Sequence, residues 1–263
     1  MTELVVTPPP VEVWGLPLAP LTMAETLDLI DHWIEDRTPR YVITANVHYA
    51  MLADRDPRLG PVTRGADLVL ADGMPLVWAA RGRLPERVAG SDLVPALCAR
   101  AAERGYRVFL LGAAPGVADE AAANLQARFP GLTIAGTLAP PFRGLMPAET
   151  ASLIDTVRSA RSDLLFVALG QPKGELWVAE HHRDLGVPVT MQIGATLNFM
   201  AGRVSRAPRW LQRAGLEWAY RLLLEPRRLG GRYLSNGLFV LRMLLTSARP
   251  LPVAEPGLHP RRE

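Results

Sequence analysis

Lysine is almost absent from this 263-residue chain: of its 29 basic side chains all but Lys173 are arginine. A chain that uses arginine everywhere else has either kept one compact ammonium for a purpose or carries a single survivor of codon bias; both readings stand. Cysteine is as scarce. Cys98, the only one, lies in the alanine-rich helical pattern LVPALCARAAERG and reads as a core residue, so a disulfide framework is excluded. No apolar run reaches the ~18–20 residues that a membrane span needs. The N-terminus lacks a basic segment followed by an apolar one, so no signal peptide is expected. G-x-G-x-x-G and the P-loop are both missing, which removes the dinucleotide and NTPase fingerprints. The five histidines do not cluster at ligand spacing, and the adjacent His181 and His182 point to different faces of one helix.

What is present supports a large core, with 49% hydrophobic residues. The net charge of +3 hides an asymmetry: residues 1–202 sum to −5 and residues 203–250 to +8. That basic segment suits an anionic surface. No nucleic-acid motif accompanies the arginines, so nucleic acid is not expected as a partner.

The organising stretch runs from Tyr41 to Ala80. Two apolar runs, Tyr41–Ala45 and Ala66–Ala71, have strand length and β-branched content. Each ends in small polar residues, Thr44-Ala45-Asn46 and Asp72-Gly73. Ligands of open α/β sheets bind outside the carboxyl ends of the strands, so Thr44, Asn46 and Asp72 should meet at one cleft. A carboxylate there suits a general base. Capping of the helices from Val47 and Pro75 by Asn46 and Asp72 is the competing reading. His48 either lines the same cleft or packs.

Around this stretch, Val11–Trp14 reads as a strand and Thr22-Met23-Ala24-Glu25 as a capping box. Ser91 should cap a helix that Gly105 ends. From Arg107 onward strands and helices alternate, which implies right-handed crossovers and a mainly parallel sheet. Three turns follow strands: Gly112-Ala113-Ala114-Pro115-Gly116, Gly170-Gln171-Pro172-Lys173 and Gly194-Ala195-Thr196. Each is either a tight βα connection or a cradle of backbone N–H groups for phosphate, and Lys173 could reach a diphosphate. The expected fold is α/β: a mainly parallel Rossmann-like sheet flanked by helices over residues 11–202. Residues 1–10 and 250–263 should be loose. Residues 203–249 form a basic amphipathic helical appendage, with one helix from Pro208 that Pro226 breaks and an apolar run Leu238–Leu245 beyond it. Trp210, Leu211, Trp218 and Leu222 recur at helical spacing between arginines, which suits either a lipid interface or ordinary core packing.

ITAN (43–46), ADGMP (71–75), PERVAGSDL (85–93), LGQPKGELW (169–177) and GATLNFMAGRVSRAPRWLQRAGLEWAYRLLLEPRRL (194–229) occur in one order. Together they resemble the WecG/TagA/CpsF family of bacterial glycosyltransferases, over roughly residues 11–235. The resemblance implies inverting, metal-independent transfer of a hexose, of the N-acetylmannosamine type or related, from a UDP-sugar to a polyprenyl-diphosphate-linked sugar. The process served is cell-wall or exopolysaccharide synthesis. It implies Asp72 as the general base, with Thr44 and Asn46 positioning the donor. Arg87 would handle phosphate, and Arg221 and Arg228 would hold the lipid diphosphate. With no metal, arginines must stabilise the charge that develops on leaving UDP. The resemblance implies no cofactor and a cytoplasmic protein held peripherally at the inner face of the membrane; a homo-oligomer is left open. Gly112, Gly116, Gly170, Gln171, Lys173 and Gly194 join the donor-binding candidates. Asp54-Arg55-Asp56 spells the D-x-D string that many glycosyltransferases use for metal, but it ends a helix away from a strand edge, and no metal is expected.

The chain departs from the family at Gly174, where glutamine is usual, and at Asn198, where aspartate is frequent. The gap from Gly73 to Arg87 is also shortened. Two rival readings remain: a nucleotide-sugar-modifying enzyme such as an epimerase, opposed by the missing dinucleotide fingerprint, and a membrane-binding module that has lost donor binding.

Overall fold

Alternation of short apolar runs with helical segments sets the architecture. In the computed structural model, which describes residues 8–141, 143 and 145–246, a short antiparallel hairpin comes first, β1 (Val11–Val13) and β2 (Leu16–Leu18). The hairpin partner β2 carries too short a signal to be read from sequence. Helix α1 (Met23–Asp36) starts at the expected capping box, in which Thr22 Oγ1 accepts from the Glu25 amide and the Glu25 carboxylate accepts from the Thr22 amide. Residues 1–7 and 250–263, expected to be loose, lie outside the described residues.

The chain then lays down β3 (Arg40–Ala45), α2 (Val47–Arg55), α3 (Leu59–Gly65), β4 (Leu68–Ala71), α4 (Met74–Ala79), α5 (Gly90–Arg104), β5 (Arg107–Gly112), α6 (Val117–Arg128), β6 (Thr133–Leu138), α7 (Pro147–Ser159), β7 (Leu164–Ala168), α8 (Lys173–Leu185), β8 (Val189–Gln192) and α9 (Thr196–Met200). Strands β3 to β8 form one fully parallel sheet in the order β4-β3-β8-β7-β5-β6. Strands buried on both faces need continuous apolar runs, and LVLA, LLFVA and RVFLL provide them. Alternate strand residues feed two cores. Ile43, Val69, Phe109 and Leu165 pack with Tyr49, Val157 and Val178 from α2, α7 and α8. Val42, Leu68, Val108 and Met191 pack with Ile30, Leu97 and Ala121 from α1, α5 and α6.

Three local readings change. Ser91 does not cap α5; the cap is Ala89, and Ser91 is the second helical residue. Gly90, the first helical residue, lies against Thr44, where an added Cβ would stand 3.3 Å from Oγ1. The single helix expected between Pro208 and Pro226 is two, α10 (Arg209–Arg213) and α11 (Glu217–Leu224). They part at Gly215, whose φ of 71° is left-handed and whose added Cβ would meet Met74 at 2.9 Å. Pro226 ends α11 but opens α12 (Pro226–Leu245), so the arginine segment and the apolar run are one 20-residue helix.

Helix α12 has apolar residues on two sides. Leu229, Phe239 and Met243 are buried, and Phe239 meets Trp14 of the hairpin edge-on at 5.8 Å between ring centroids. Leu234, Leu238, Leu241 and Leu245 are exposed, and α11 buries no residue at all. Among the described residues no helix is long and apolar enough to cross a membrane.

Candidate active site

The carboxyl ends of β3, β4, β7 and β8 open into one cleft of about 2040 Å³, closed on its far side by α11 and α12. Thr44 is the penultimate residue of β3, nearly buried, and its hydroxyl donates to the Gln192 carbonyl at the end of β8, 3.1 Å away. Asn46 follows β3 and caps α2, its Oδ1 accepting from the Tyr49 amide at 3.0 Å. The capping and cleft readings of Asn46 are therefore compatible: Oδ1 serves the helix while the side chain lines the cleft.

Asp72 follows β4 and is held by its amide, which donates to the Ala45 carbonyl at 2.8 Å. It does not cap α4; Gly73 occupies the cap position without a side-chain bond. Burial pushes the Asp72 carboxyl up to about 7, with Arg87 and Arg206 pulling the other way and Glu217 and Asp92 adding to the rise. No side-chain hydrogen bond engages its carboxylate among the described residues, so it is free to accept a proton.

Arg87 stands beside it in a ring of alternating charge. Its guanidinium meets Asp92 at 2.7 Å and Glu217 at 3.5 Å, and Arg206 meets the same carboxylates at 2.7 and 3.6 Å. The ring joins α5 to α11 and so ties the C-terminal segment to the sheet edge that carries Asp72.

Opposite lie arginines of α11 and α12. Arg221 lines the cleft with its guanidinium over the Phe199 ring, 5.3 Å from the centroid. Arg228 also lines it and pairs with Glu225. Arg232, one turn beyond Arg228, completes the group. Desolvation by the cleft walls holds its guanidinium below the usual range, and repulsion from Arg221 and Arg228 adds to this even though the side chain reaches solvent. Three like charges facing one cavity call for an anion between them.

Among the remaining candidates, Gly170, Gln171, Lys173 and Gly194 line the cleft. Lys173 opens α8, exposed and without an ion pair among the described residues. Gly112 and Gly116 are not among the lining residues; Ala113 and Ala114 between them are. Gly112 has φ 109°, and an added Cβ would come within 2.6 Å of the Ala168 carbonyl oxygen, so it is there for strand packing. Asp54 and Asp56 are each committed to an arginine, Asp54 to Arg242 at 2.7 Å and Asp56 to Arg58 at 2.7 Å. Among the described residues no three His, Cys, Asp or Glu side chains gather as a metal site.

Sequence reasoning missed Arg232, Gln192 and the pair His48–Asn236, whose Nδ1 and Oδ1 are 3.2 Å apart. Arg232 was within reach, since residues four apart share a helix face. Gln192 was too, because it is a polar residue ending an apolar strand, the rule that singled out Asn46 and Asp72.

A parallel sheet with a carboxylate at its carboxyl edge and cations across the cleft suits an enzyme that transfers a group on an anionic substrate. The comparisons give the class its particular form. The family model described as "Glycosyl transferase WecG/TagA/CpsF family" matches residues 11–251, and the chain belongs to that family of glycosyltransferases. It is 31% identical over 199 residues to the N-acetylglucosaminyldiphosphoundecaprenol N-acetyl-beta-D-mannosaminyltransferase of Bacillus spizizenii, a match covering 74% of this chain and 76% of that one.

Proposed function

We propose that this glycosyltransferase transfers a hexose of the N-acetylmannosamine type from a UDP-sugar to a polyprenyl-diphosphate-linked sugar, with inversion and without a metal, in cell-wall or exopolysaccharide synthesis. The observation that carries this is Asp72, poised near neutrality at the sheet edge, sharing one cleft with Arg221, Arg228 and Arg232. The name of the Bacillus spizizenii relative supports the choice of sugar and acceptor.

Asp72 takes the proton of the acceptor hydroxyl as its oxygen bonds to the anomeric carbon. The bond from that carbon to the diphosphate breaks, and its electron pair leaves on UDP. With Asp72 acting as base on the acceptor hydroxyl and that oxygen attacking from the face opposite the diphosphate, the transfer is a single displacement with inversion. Thr44 and Asn46 hold the sugar. Lys173 and Arg87 stabilise the leaving diphosphate, and the α11–α12 arginines hold the acceptor's diphosphate.

The appendage lies on the inner face of the cytoplasmic membrane in this reading. The segment 203–250 carries +8, and its exposed leucines, Leu223 at 81% and Leu244 at 70%, have no protein cover. A basic helix with such a face lies in the interface, where each cation near anionic lipid is worth ~1 kcal/mol.

The test is UDP release from UDP-N-acetylmannosamine with and without a lipid-linked N-acetylglucosamine diphosphate, in EDTA. Release that requires the acceptor and survives EDTA is expected. No acceptor-dependent release refutes the reading, and loss in EDTA restored by Mg²⁺ or Mn²⁺ refutes its metal-independent part.

A further inference from the structure

Beneath the cleft, one polar side chain occupies space that a neighbouring residue leaves empty. Gln192 ends β8 with its side chain turned toward the first turn of α8, over Gly174. A Cβ at position 174 would collide with the Gln192 amide at its Nε2, Cδ and Oε1. Both Nε2 and Oε1 are buried, and neither makes a hydrogen bond of normal geometry. Both carboxylate oxygens of Glu175, the next residue, are buried as well, with the Gln171 and Gln192 side chains turned to them. Gln192 is 2% exposed and Glu175 1%, yet Gln192, Gln171 and Lys173 all line the cleft.

A buried polar group left unmet is destabilising, and the Gln192 amide, which faces Glu175 with one side, keeps hydrogen-bonding capacity that a ligand in the cleft it lines can meet. We propose that Gln192, laid over Gly174 and beside Glu175, is a specificity-determining residue that reads an amide edge of the donor, an N–H next to a C=O. This rests on the UDP-sugar reading above. The chemistry matches group for group: the Gln192 Nε2, which carries two N–H donors, gives one to the ligand carbonyl, while Gln192 Oε1 accepts from the ligand N–H. Burial raises the Glu175 carboxyl to about 7, with the Gln171 and Gln192 amides facing it and partly offsetting the rise. Position matches as well. The Gln192 carbonyl receives the Thr44 hydroxyl, so the amide edge is read one residue from the group that positions the sugar. Two parts of a UDP-sugar carry such an edge, the uracil ring and an acetamido substituent. A site built to hydrogen-bond a substrate group rejects analogues that lack it.

The test is calorimetric binding of UDP, UDP-glucose and UDP-N-acetylmannosamine to the full chain and to Gln192→Met, which keeps side-chain length and removes the amide. Its Met side chain leaves the backbone bond to Thr44 in place. About tenfold weaker binding is expected, the combined worth of two neutral hydrogen bonds. A loss shared by all three ligands assigns the uracil edge; a loss confined to UDP-N-acetylmannosamine assigns the acetamido group. Gly174→Ala, which displaces the amide, should show the same ligand pattern, and the double variant should lose no more than either single one. If Gly174→Ala does not fold, Gln192→Met decides alone. Binding of all three ligands to Gln192→Met at wild-type strength overturns the inference and leaves the donor reading intact. Failure of the wild type to bind UDP or either UDP-sugar refutes the donor reading and this inference with it.

Discussion

Replacing Asp72 by asparagine separates the chemistry of this residue from its structural burden. The change removes the proton acceptor and keeps the side chain's shape. If Asp72 is the base, turnover should fall roughly 10²–10⁴-fold while UDP affinity stays within about twofold. Stability should move the other way. The carboxyl titrates near 7 in the fold and near 3.8 when exposed, so between those values the native state holds a proton that the unfolded chain has released. Stability from this group therefore declines as pH rises from about 4 to 7, by at most about 4 kcal/mol for three pK units. Asparagine carries no such burden. The variant should melt several degrees above the wild type at pH 8 and level with it near pH 4, since each kcal/mol moves the midpoint of a chain this size by ~2–4 °C. The wild-type kcat/KM should rise with pH through about 7, reporting the ionised base in the free enzyme. The assays are acceptor-dependent UDP release across pH 5.5–8.5 and thermal unfolding at pH 4 and 8. Turnover within tenfold of wild type would sink the base assignment. Equal melting shifts at both pH values would sink the account of why the carboxyl is poised near neutrality.

Asn46→Ala should cost about 1 kcal/mol through loss of the α2 cap and also lower activity; Asn46→Ser should restore the melting temperature but not the activity. If serine restores both, Asn46 acts only as a cap. Phe239→Ala should cost about 3–5 kcal/mol by emptying the contact with Trp14, measured by denaturant unfolding. A loss under 1 kcal/mol would mean that α12 is not packed on the hairpin. Arg221→Glu with Arg228→Glu should leave the fold and UDP binding intact, abolish transfer to lipid-linked acceptor and weaken sedimentation with anionic vesicles at low salt. Unchanged transfer by that variant would remove the arginines from acceptor binding.

Much of the molecule is written locally. β-Branched runs bounded by small polar residues mark β3 and β4, and the same rule places Thr44, Asn46 and Asp72 at one sheet edge. The Thr22–Glu25 box starts α1 because both partners sit within one turn. The +8 segment is visible as composition. Local pattern reports that a residue will be buried; it does not report what buries it. Strand order was decided by tertiary packing, and that order sets β8 between β3 and β7 and brings Gln192 beneath Thr44, 148 residues away in sequence. The ring of Arg87, Asp92, Arg206 and Glu217 forms only when α11 docks against α5. Helix α12 carries apolar residues on two sides, and its docking on α2, through His48–Asn236 and Asp54–Arg242, and on Trp14 decides which side is core. The raised titration of Asp72 belongs to the tertiary structure, because its largest cause is desolvation by the elements that close over the carboxylate, and the charges that modify it come from Arg87, Asp92, Arg206 and Glu217.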